Sequence, residues 1–274
     1  MSRIAFIFPG QGSQAIGMGK ELADAFPAAK AVFDEVDAAL GEKLSALIWG
    51  GSIEELTLTA NAQPALMAVS LAASRALEAG FGVKISTAAF VAGHSLGEYS
   101  ALAAAGAISV TDAARLLRKR GQAMQAAAPA GTGAMAALIG KVDLEIAEII
   151  ALEGSAAGTV VVANDNNVGN VVISGTKAGV EAAIAVAKTK GVKAISLPVS
   201  APFHSPLMAP AAVEMEKALA AATINAPVIP VVANVTARPI SEPADIRRLL
   251  VEQVTGRVRW RESIQWMAAG ADQN

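Results

Sequence analysis

Gly93-His94-Ser95-Leu96-Gly97 constrains this chain more than any other stretch, because a serine framed by two spaced glycines is the pattern of a strand that turns sharply into a helix. The apolar run Ala88-Ala89-Phe90-Val91-Ala92 leads into it, and a helix-favouring segment from Glu98 to Ala105 follows. The glycines let the backbone turn where side chains would collide, which leaves Ser95 Oγ exposed at the apex and sets the following amide at a helix N-terminus. Both features favour an oxyanion forming beside Ser95, a candidate nucleophile. The competing reading is a serine in a Gly-rich turn that merely caps the helix.

A nucleophilic serine needs a base, and the chain has two histidines among its 274 residues. Side chains adjacent at a strand end point to opposite faces, so His94 turns away from Ser95 and His204 is the imidazole left. A lone histidine is more often structural than catalytic. This one sits in Pro198-Val199-Ser200-Ala201-Pro202-Phe203-His204-Ser205-Pro206, a segment stiffened by three prolines. The absence of cysteine excludes disulfides, thiol catalysis and Cys-ligated metals, and fits a cytoplasmic setting. A net charge of -2 argues against nucleic-acid binding. The hydrophobic share of 53% is rich in alanine, so the mean hydropathy of +0.45 reflects Ala-rich helices. No apolar run long enough to span a bilayer is free of charge, Gly or Pro, and Ile4 to Phe8 runs into Pro9-Gly10 too soon for a secretory signal.

Along the chain, strand-like Ile4 to Phe8 precedes Pro9-Gly10-Gln11-Gly12-Ser13-Gln14-Ala15, in which Gly10, Gly12 and Ala15 satisfy the G-x-G-x-x-A dinucleotide fingerprint. Against that reading, Gly17 and Gly19 extend the loop where a helix should open. A loop at the end of one strand also donates to a site on its neighbour, so Gln11 is placed to face Ser95. Helical patterns cover Glu21 to Leu40, interrupted at Pro27, then Glu42 to Trp49, and a long Ala-rich stretch from Gln63-Pro64 to Gly80. Thr111 to Ala128 reads as an amphipathic helix with Thr111 as its N-cap. Arg115, Arg118 and Lys119 fall on a solvated face, but Arg120 lies on the apolar stripe with Leu116, Leu117, Met124 and Ala127. A guanidinium keeps its proton, so Arg120 either pairs with an internal carboxylate or holds one that arrives with substrate.

Residues 130 to 198 form a self-contained pattern: strand Ala134 to Ile139, helix Asp143 to Glu153, strands Thr159 to Ala163 and Asn170 to Ser174, helix Lys177 to Lys190, strand Val192 to Leu197. That βαββαβ order is the ferredoxin-like motif. It makes 130–198 an inserted subdomain and leaves 1–129 with 199–274 as a discontinuous core. Helix Met208 to Ala222, strand Val228 to Ala233 and helices near Ala244 to Val254 and Arg261 to Ala269 complete the core.

Taken together, Phe8-Pro9-Gly10-Gln11-Gly12-Ser13-Gln14, Gln63-Pro64-Ala65, Gly93 to Tyr99, Arg120-Gly121, Met124-Gln125, Asn164 with Asn166, Val172-Ile173-Ser174-Gly175, Pro202-Phe203-His204-Ser205 and Gln253 resemble one family. It is that of the malonyl-CoA:acyl-carrier-protein transacylases of fatty acid synthesis and the acyltransferase domains of polyketide synthases, and the match is collinear across nearly the whole chain. The resemblance implies an α/β-hydrolase-like core with a parallel sheet carrying a ferredoxin-like insert. It implies Ser95 as the acylated nucleophile, His204 as its base and Gln253 orienting the imidazole through its main-chain carbonyl. Gln11 and Leu96 would supply oxyanion-hole amides, and Arg120 the clamp for malonate's free carboxylate. Gln63 and Met124 would line the pocket, while Phe203 would crowd an α-branch.

The implied partners are malonyl-CoA and acyl carrier protein, with no metal, no cofactor, no nucleic acid and no membrane, for a monomer in the cytoplasm. A basic rim for the acidic carrier is expected from Lys188, Lys190 and Lys193 or from Arg257, Arg259 and Arg261. The stretch Asn164 to Asn170 departs from the family by lacking its usual Pro and Gln, and relatives normally continue past Gly270 through a further strand and helix. The rival within serine chemistry is a hydrolase or thioesterase that passes the acyl group to water.

Overall fold

Strand β1 (Ala5–Phe8) is a short apolar run that ends where Pro9 begins the loop. The computed structural model describes residues 4–129, 131–199 and 201–269. The expected insert start at Ala130, Ser200 in the proline-rich return and the chain end at 270–274 lie outside them. After β1 come α1 (Lys20–Ala25) and α2 (Pro27–Leu40), with Pro27 opening the second helix, where its missing N–H is no loss. Next are α3 (Leu44–Gly50), α4 (Ile53–Thr57), which the sequence reading did not include, and α5 (Thr59–Phe81). Helix α5 starts four residues before Gln63, so Pro64 lies inside it.

Strand β2 (Phe90–Gly93) then enters the elbow, followed by α6 (Gly97–Ala104) and α7 (Val110–Ala127). The cap of α7 is Ser109, whose Oγ accepts from the Asp112 amide at 3.0 Å, and not Thr111. Thr111 is already helical and bonds Glu35 instead. Nor is the face of Arg115, Arg118 and Lys119 merely solvated: they bond Ala39 O, Asn61 with Glu42, and Glu214, tying α7 to its neighbours.

The middle of the chain runs β3 (Gly133–Ile139), α8 (Leu144–Gly154), β4 (Val160–Asn167), β5 (Asn170–Thr176), α9 (Lys177–Thr189) and β6 (Lys193–Ser196). Asp143 and Thr176 cap α8 and α9 with side-chain oxygens. The chain closes with α10 (Ala209–Ala221), β7 (Val231–Ala233), β8 (Arg238–Ile240), α11 (Pro243–Thr255) and α12 (Trp260–Ala269). Strand β7 is shorter than the expected Val228 to Ala233 because the Val228 amide bonds Ala105 O and Pro230 has no amide to offer.

The fold is mixed α/β, with two sheets among the described residues. One runs β1-β2-β7-β8, its first three strands parallel and β8 antiparallel to β7. The other is antiparallel in the order β4-β5-β3-β6. Strand periodicity assigns its two faces: Ala136 and Leu138 of β3 join the cluster under α8 and α9, while Met135 and Ala137 face the larger core. The second sheet thus has one face covered by its own helices and the other turned toward the first sheet, where it walls the site. Strand β4 is also bonded to the stretch before α12 through Asp165 N to Val258 O (2.9 Å) and Val258 N to Ala163 O (2.8 Å).

Candidate active site

Three neighbouring parallel strands each deliver a polar residue just past their carboxyl ends: Gln11 after β1, Ser95 after β2 and Asn234 after β7. This is the edge of an α/β sheet at which ligands are bound. The elbow glycines serve close approach. A Cβ on Gly93 would stand 1.8 Å from Gly97 O, and one on Gly97 would stand 2.5 Å from Phe8 O. The residue in the left-handed region is Ser95 itself, at φ 54°, a conformation that costs on the order of 1–3 kcal/mol and persists only when its surroundings impose it. They do so here. Asn234 Oδ1 accepts from the Ser95 amide at 2.7 Å, Asn234 Nδ2 donates to Gly93 O at 2.7 Å, and Gln253 Nε2 donates to Ser95 O at 3.0 Å.

Ser95 Oγ lies 2.7 Å from His204 Nε2. His204 Nδ1 lies 2.9 Å from Gln253 O and 3.1 Å from Gly256 O. Carbonyls only accept, so Nδ1 carries the proton, and Nε2 is the bare nitrogen that accepts from the serine hydroxyl. Burial, aided by the charge of Arg120, lowers the His204 pKa to about 3 and keeps the ring neutral. His204 also has positive φ, 55°, so both members of this hydrogen-bonded pair are held in unusual backbone conformations. His94 turns away from Ser95, as alternation requires, to a 2.8 Å bond with Asn166 and an edge-on contact with Trp260.

Arg120 is 1% exposed, yet all its bonds go to neutral oxygens: Nη1 to Gln63 Oε1 (2.8 Å), Nη2 to Gln253 Oε1 (2.8 Å) and Nη2 to Ser95 Oγ (3.2 Å). Among the described residues no carboxylate ion-pairs with it; Glu98 stands behind Gln253, one hydrogen bond removed. The same cavity, about 570 Å3, is lined by Gln11, Leu96, Gln63, Met124 and Phe203, with Met135, Ala137, Asn164 and Asn166 from the second sheet. Gln63 Nε2 contacts Met124 Sδ at 3.7 Å, and Gln11 Nε2 donates to Thr59 Oγ1 at 3.1 Å. Neither the Gln11 nor the Leu96 amide donates a hydrogen bond among the described residues, and both residues line the cavity.

Gly10 to Ala15 is a loop with a turn at Gln11-Gly12, and α1 begins only at Lys20, so the loop lacks the helix N-terminus on which a dinucleotide pyrophosphate would rest. Among the described residues no cluster of three or more His, Asp or Glu is arranged to hold a metal. Of the basic residues expected at a rim, Arg257, Arg259, Arg261 and Lys190 are ion-paired, with Glu148, Glu262, Asp165 and Glu153.

Residues 5–273 match the acyl transferase domain family. The chain belongs to that family. Its sequence is 52% identical over 272 residues to the malonyl CoA-acyl carrier protein transacylase of Bacillus subtilis (strain 168), covering 98% of this chain and 84% of the relative. The Escherichia coli (strain K12) protein of the same name is 47% identical over 271 residues, covering 98% and 86%. The crystal structure of acyl-carrier-protein-S-malonyltransferase from Bartonella henselae aligns with TM-score 0.95 at 57% identity, over 98% of this chain and 85% of that one. A malonyl-transacylase solved in complex with a type II PKS acyl-carrier protein aligns with TM-score 0.94 at 41% identity, covering 98% and 86%.

Within this acyl transferase, the sequence reading gave no role to Asn234, which brackets the elbow, or to Glu98, which is buried behind it. Asn234 had one local signal: like Ser95, it follows an apolar run at a strand's carboxyl end. Glu98 had none beyond its place after the second glycine.

Proposed function

We propose that this acyl transferase moves a malonyl group from malonyl-CoA, through an ester on Ser95, to the phosphopantetheine thiol of acyl carrier protein in fatty acid or polyketide synthesis. The observation that carries the reading is that Ser95 Oγ stands between His204 Nε2 at 2.7 Å and Arg120 Nη2 at 3.2 Å, inside one cavity. A simple esterase has no use for a buried guanidinium beside its nucleophile, whereas a donor carrying a free carboxylate does.

In the first half-reaction the malonate carboxylate pairs with Arg120, displacing some of its neutral partners. His204 Nε2 takes the Ser95 proton as Oγ attacks the thioester carbon, and the Gln11 and Leu96 amides hold the tetrahedral oxyanion. Collapse breaks the C–S bond. The imidazolium returns its proton to the departing sulfur, giving CoA thiol and malonyl-Ser95. Neutralising Arg120 also removes one of the influences that depress His204, so a donor with a carboxylate improves the base it depends on. In the second half the carrier thiol gives its proton to His204, attacks the ester, and Ser95 recovers the proton on release. Gln253 orients the imidazole through its carbonyl, Gln63 and Met124 shape the pocket, and Phe203 excludes an α-branch. No cofactor takes part.

The same reading divides the chain into an α/β-hydrolase-like core, 1–129 with 199–274, and a ferredoxin-like insert at 130–198. The strand order β4-β5-β3-β6 and the separate cluster under α8 and α9 support it. It also holds that the enzyme works as a monomer in the cytoplasm. Among the described residues no helix is long and apolar enough to cross a membrane.

Intact mass after mixing with malonyl-CoA is the test. Wild type is expected to gain one malonyl group and lose it on addition of thiol-bearing carrier protein, with the carrier gaining the same mass. Ser95→Ala is expected to gain nothing. An adduct on Ser95→Ala, or discharge to water at the same rate without carrier, overturns the proposal.

A further inference from the structure

Among the described residues Glu98 is the carboxylate buried beside Gln253 and Asn234, in the first turn of α6, and the steps above give it no part. Its Oε2 accepts from Gln253 Nε2 at 2.7 Å and from the Asn234 amide at 3.1 Å. Those two residues are the brackets of the elbow: Asn234 fixes Ser95 N and Gly93 O, and Gln253 fixes Ser95 O and, through its main chain, His204 Nδ1. Gln253 Nε2 faces two accepting oxygens, Glu98 Oε2 and Ser95 O, so its Oε1 faces the other way, onto Arg120 Nη2. With the amide reversed, an NH2 would meet the guanidinium and a carbonyl oxygen would meet a carboxylate.

We propose that Glu98 is a positioning residue: acting through the Gln253 amide, it holds Arg120 aimed at Ser95 and sets, by its own charge, how strongly that guanidinium attracts a substrate carboxylate. The inference rests on the malonyl-transfer reading and deepens it. When Glu98 is ionised, Arg120 is partly neutralised from behind and grips malonate less tightly. When Glu98 is protonated, the guanidinium faces the cavity with its charge uncompensated.

Burial raises the Glu98 pKa to about 7, against the opposing pull of its hydrogen bonds and of Arg120, so both forms are accessible near neutrality. The other titratable or charged groups around it are Arg120 from α7, Tyr99 on its own helix, His204 after the return segment and His94 at the elbow. Burial pushes Tyr99 up and holds both histidines below their ordinary value, His204 at about 3. Glu98 is therefore the group here whose charge changes across neutrality, while Arg120 and malonate both stay ionised.

The measurement is the KM for malonyl-CoA relative to acetyl-CoA in enzyme loading, from pH 6 to pH 9. Taking the ratio cancels titration of the CoA phosphates, which the donors share. In wild type the ratio is expected to rise with pH around neutrality, by up to about tenfold for one pKa unit of coupling. Glu98→Gln keeps an oxygen for Gln253 and Asn234 but loses the charge, so its ratio is expected to be flat and low with kcat within about threefold of wild type. Glu98→Ala frees the Gln253 amide and is expected to lose malonyl kcat by about tenfold or more. A flat ratio in wild type, a Glu98→Gln ratio that still climbs, or a Glu98→Ala kcat equal to that of Glu98→Gln overturns the inference. The wild-type profile needs no variant to fold. Failure of wild type to load malonate at all instead refutes the transfer reading, and this inference with it.

Discussion

Arg120 and Arg261 are both drawn into the protein, and they are treated in opposite ways. Arg261, on α12, clasps the fully buried Asp165 of β4 with Nε and Nη2 at 2.8–3.0 Å, joining the second sheet to the rest of the chain. Arg120, on α7, is more deeply buried and bonds two amide oxygens and a hydroxyl, with no carboxylate of its own. A guanidinium already matched to a carboxylate has little left to offer a ligand. One held in place by neutral dipoles keeps most of its charge available to an anion that comes and goes. The first arrangement fastens the structure, and the second suits substrate binding.

The largest expected effect in this comparison comes from Arg120→Ala. Truncating one partner of a buried charged pair costs about 2–5 kcal/mol, so malonyl loading, read as kcat/KM, is expected to fall by roughly 30-fold to several thousand-fold. Acetyl loading is expected to be spared or improved, since the acetyl group makes no use of the cation. An equal loss for both donors would mean that Arg120 supports the site without recognising the carboxylate. Arg261→Ala should show the reverse pattern. It strands Asp165 without its cation, and because Arg261 remains a quarter exposed, a loss of at most about 3 kcal/mol of stability, the low end of the buried-pair range, is expected in denaturant titration. The malonyl-to-acetyl ratio is expected to stay unchanged. A shifted ratio would show that the joint between the two sheets also shapes the pocket.

The same contrast separates what was legible in the sequence from what was not. Elements that depend on local chemistry are readable: the elbow lies where the glycines and flanking runs put it, and β3 through β6 follow the order that alternation and helical spacing indicate. Arg120 is conspicuous because a charge on an apolar stripe needs a reason. Pairings across the chain leave no such mark. Asn234 reaches Ser95 across 139 positions and Gln253 reaches Glu98 across 155, and no spacing rule links either pair. The helix cap at Ser109 was obscured by local competition, since Ser109 and Thr111 both precede the stripe and only the turn geometry decides between them. Strand β8 is three residues with Pro239 at its centre, too short and too irregular for a pattern of period two. Asp165 sits in an asparagine-rich run that reads as a turn, so its partnership with Arg261 appears only once β4 lies beside α12.

The smallest expected effect concerns the pH dependence of stability, which distinguishes charges without a fixed partner from paired ones. His204 has a folded pKa of about 3 against an ordinary value near 6.5, so the unfolded chain binds the extra proton in the interval between them. Its contribution is complete above pH 6.5 and is lost as pH falls toward 3, with a slope no steeper than about 1.4 kcal/mol per pH unit, the limit for one proton. Glu98 works the other way. With its folded pKa raised to about 7 from about 4.5, stability is greatest below 4.5 and declines as pH rises through 7. Between about pH 4.5 and 6.5 the two slopes oppose each other, and wild type should be nearly flat in their combined contribution. Replacing the imidazole in His204→Gln removes one slope and leaves the other. The variant-minus-wild-type stability is therefore expected to rise as pH falls from 6.5, a trend measurable by urea titration at matched ionic strength because the remaining carboxylates cancel in the difference. A difference that does not change with pH would mean that the imidazole is freely protonated in the folded protein. In that case the neutral base beside Ser95, on which the contrast between unpaired site and paired scaffold depends, would not exist.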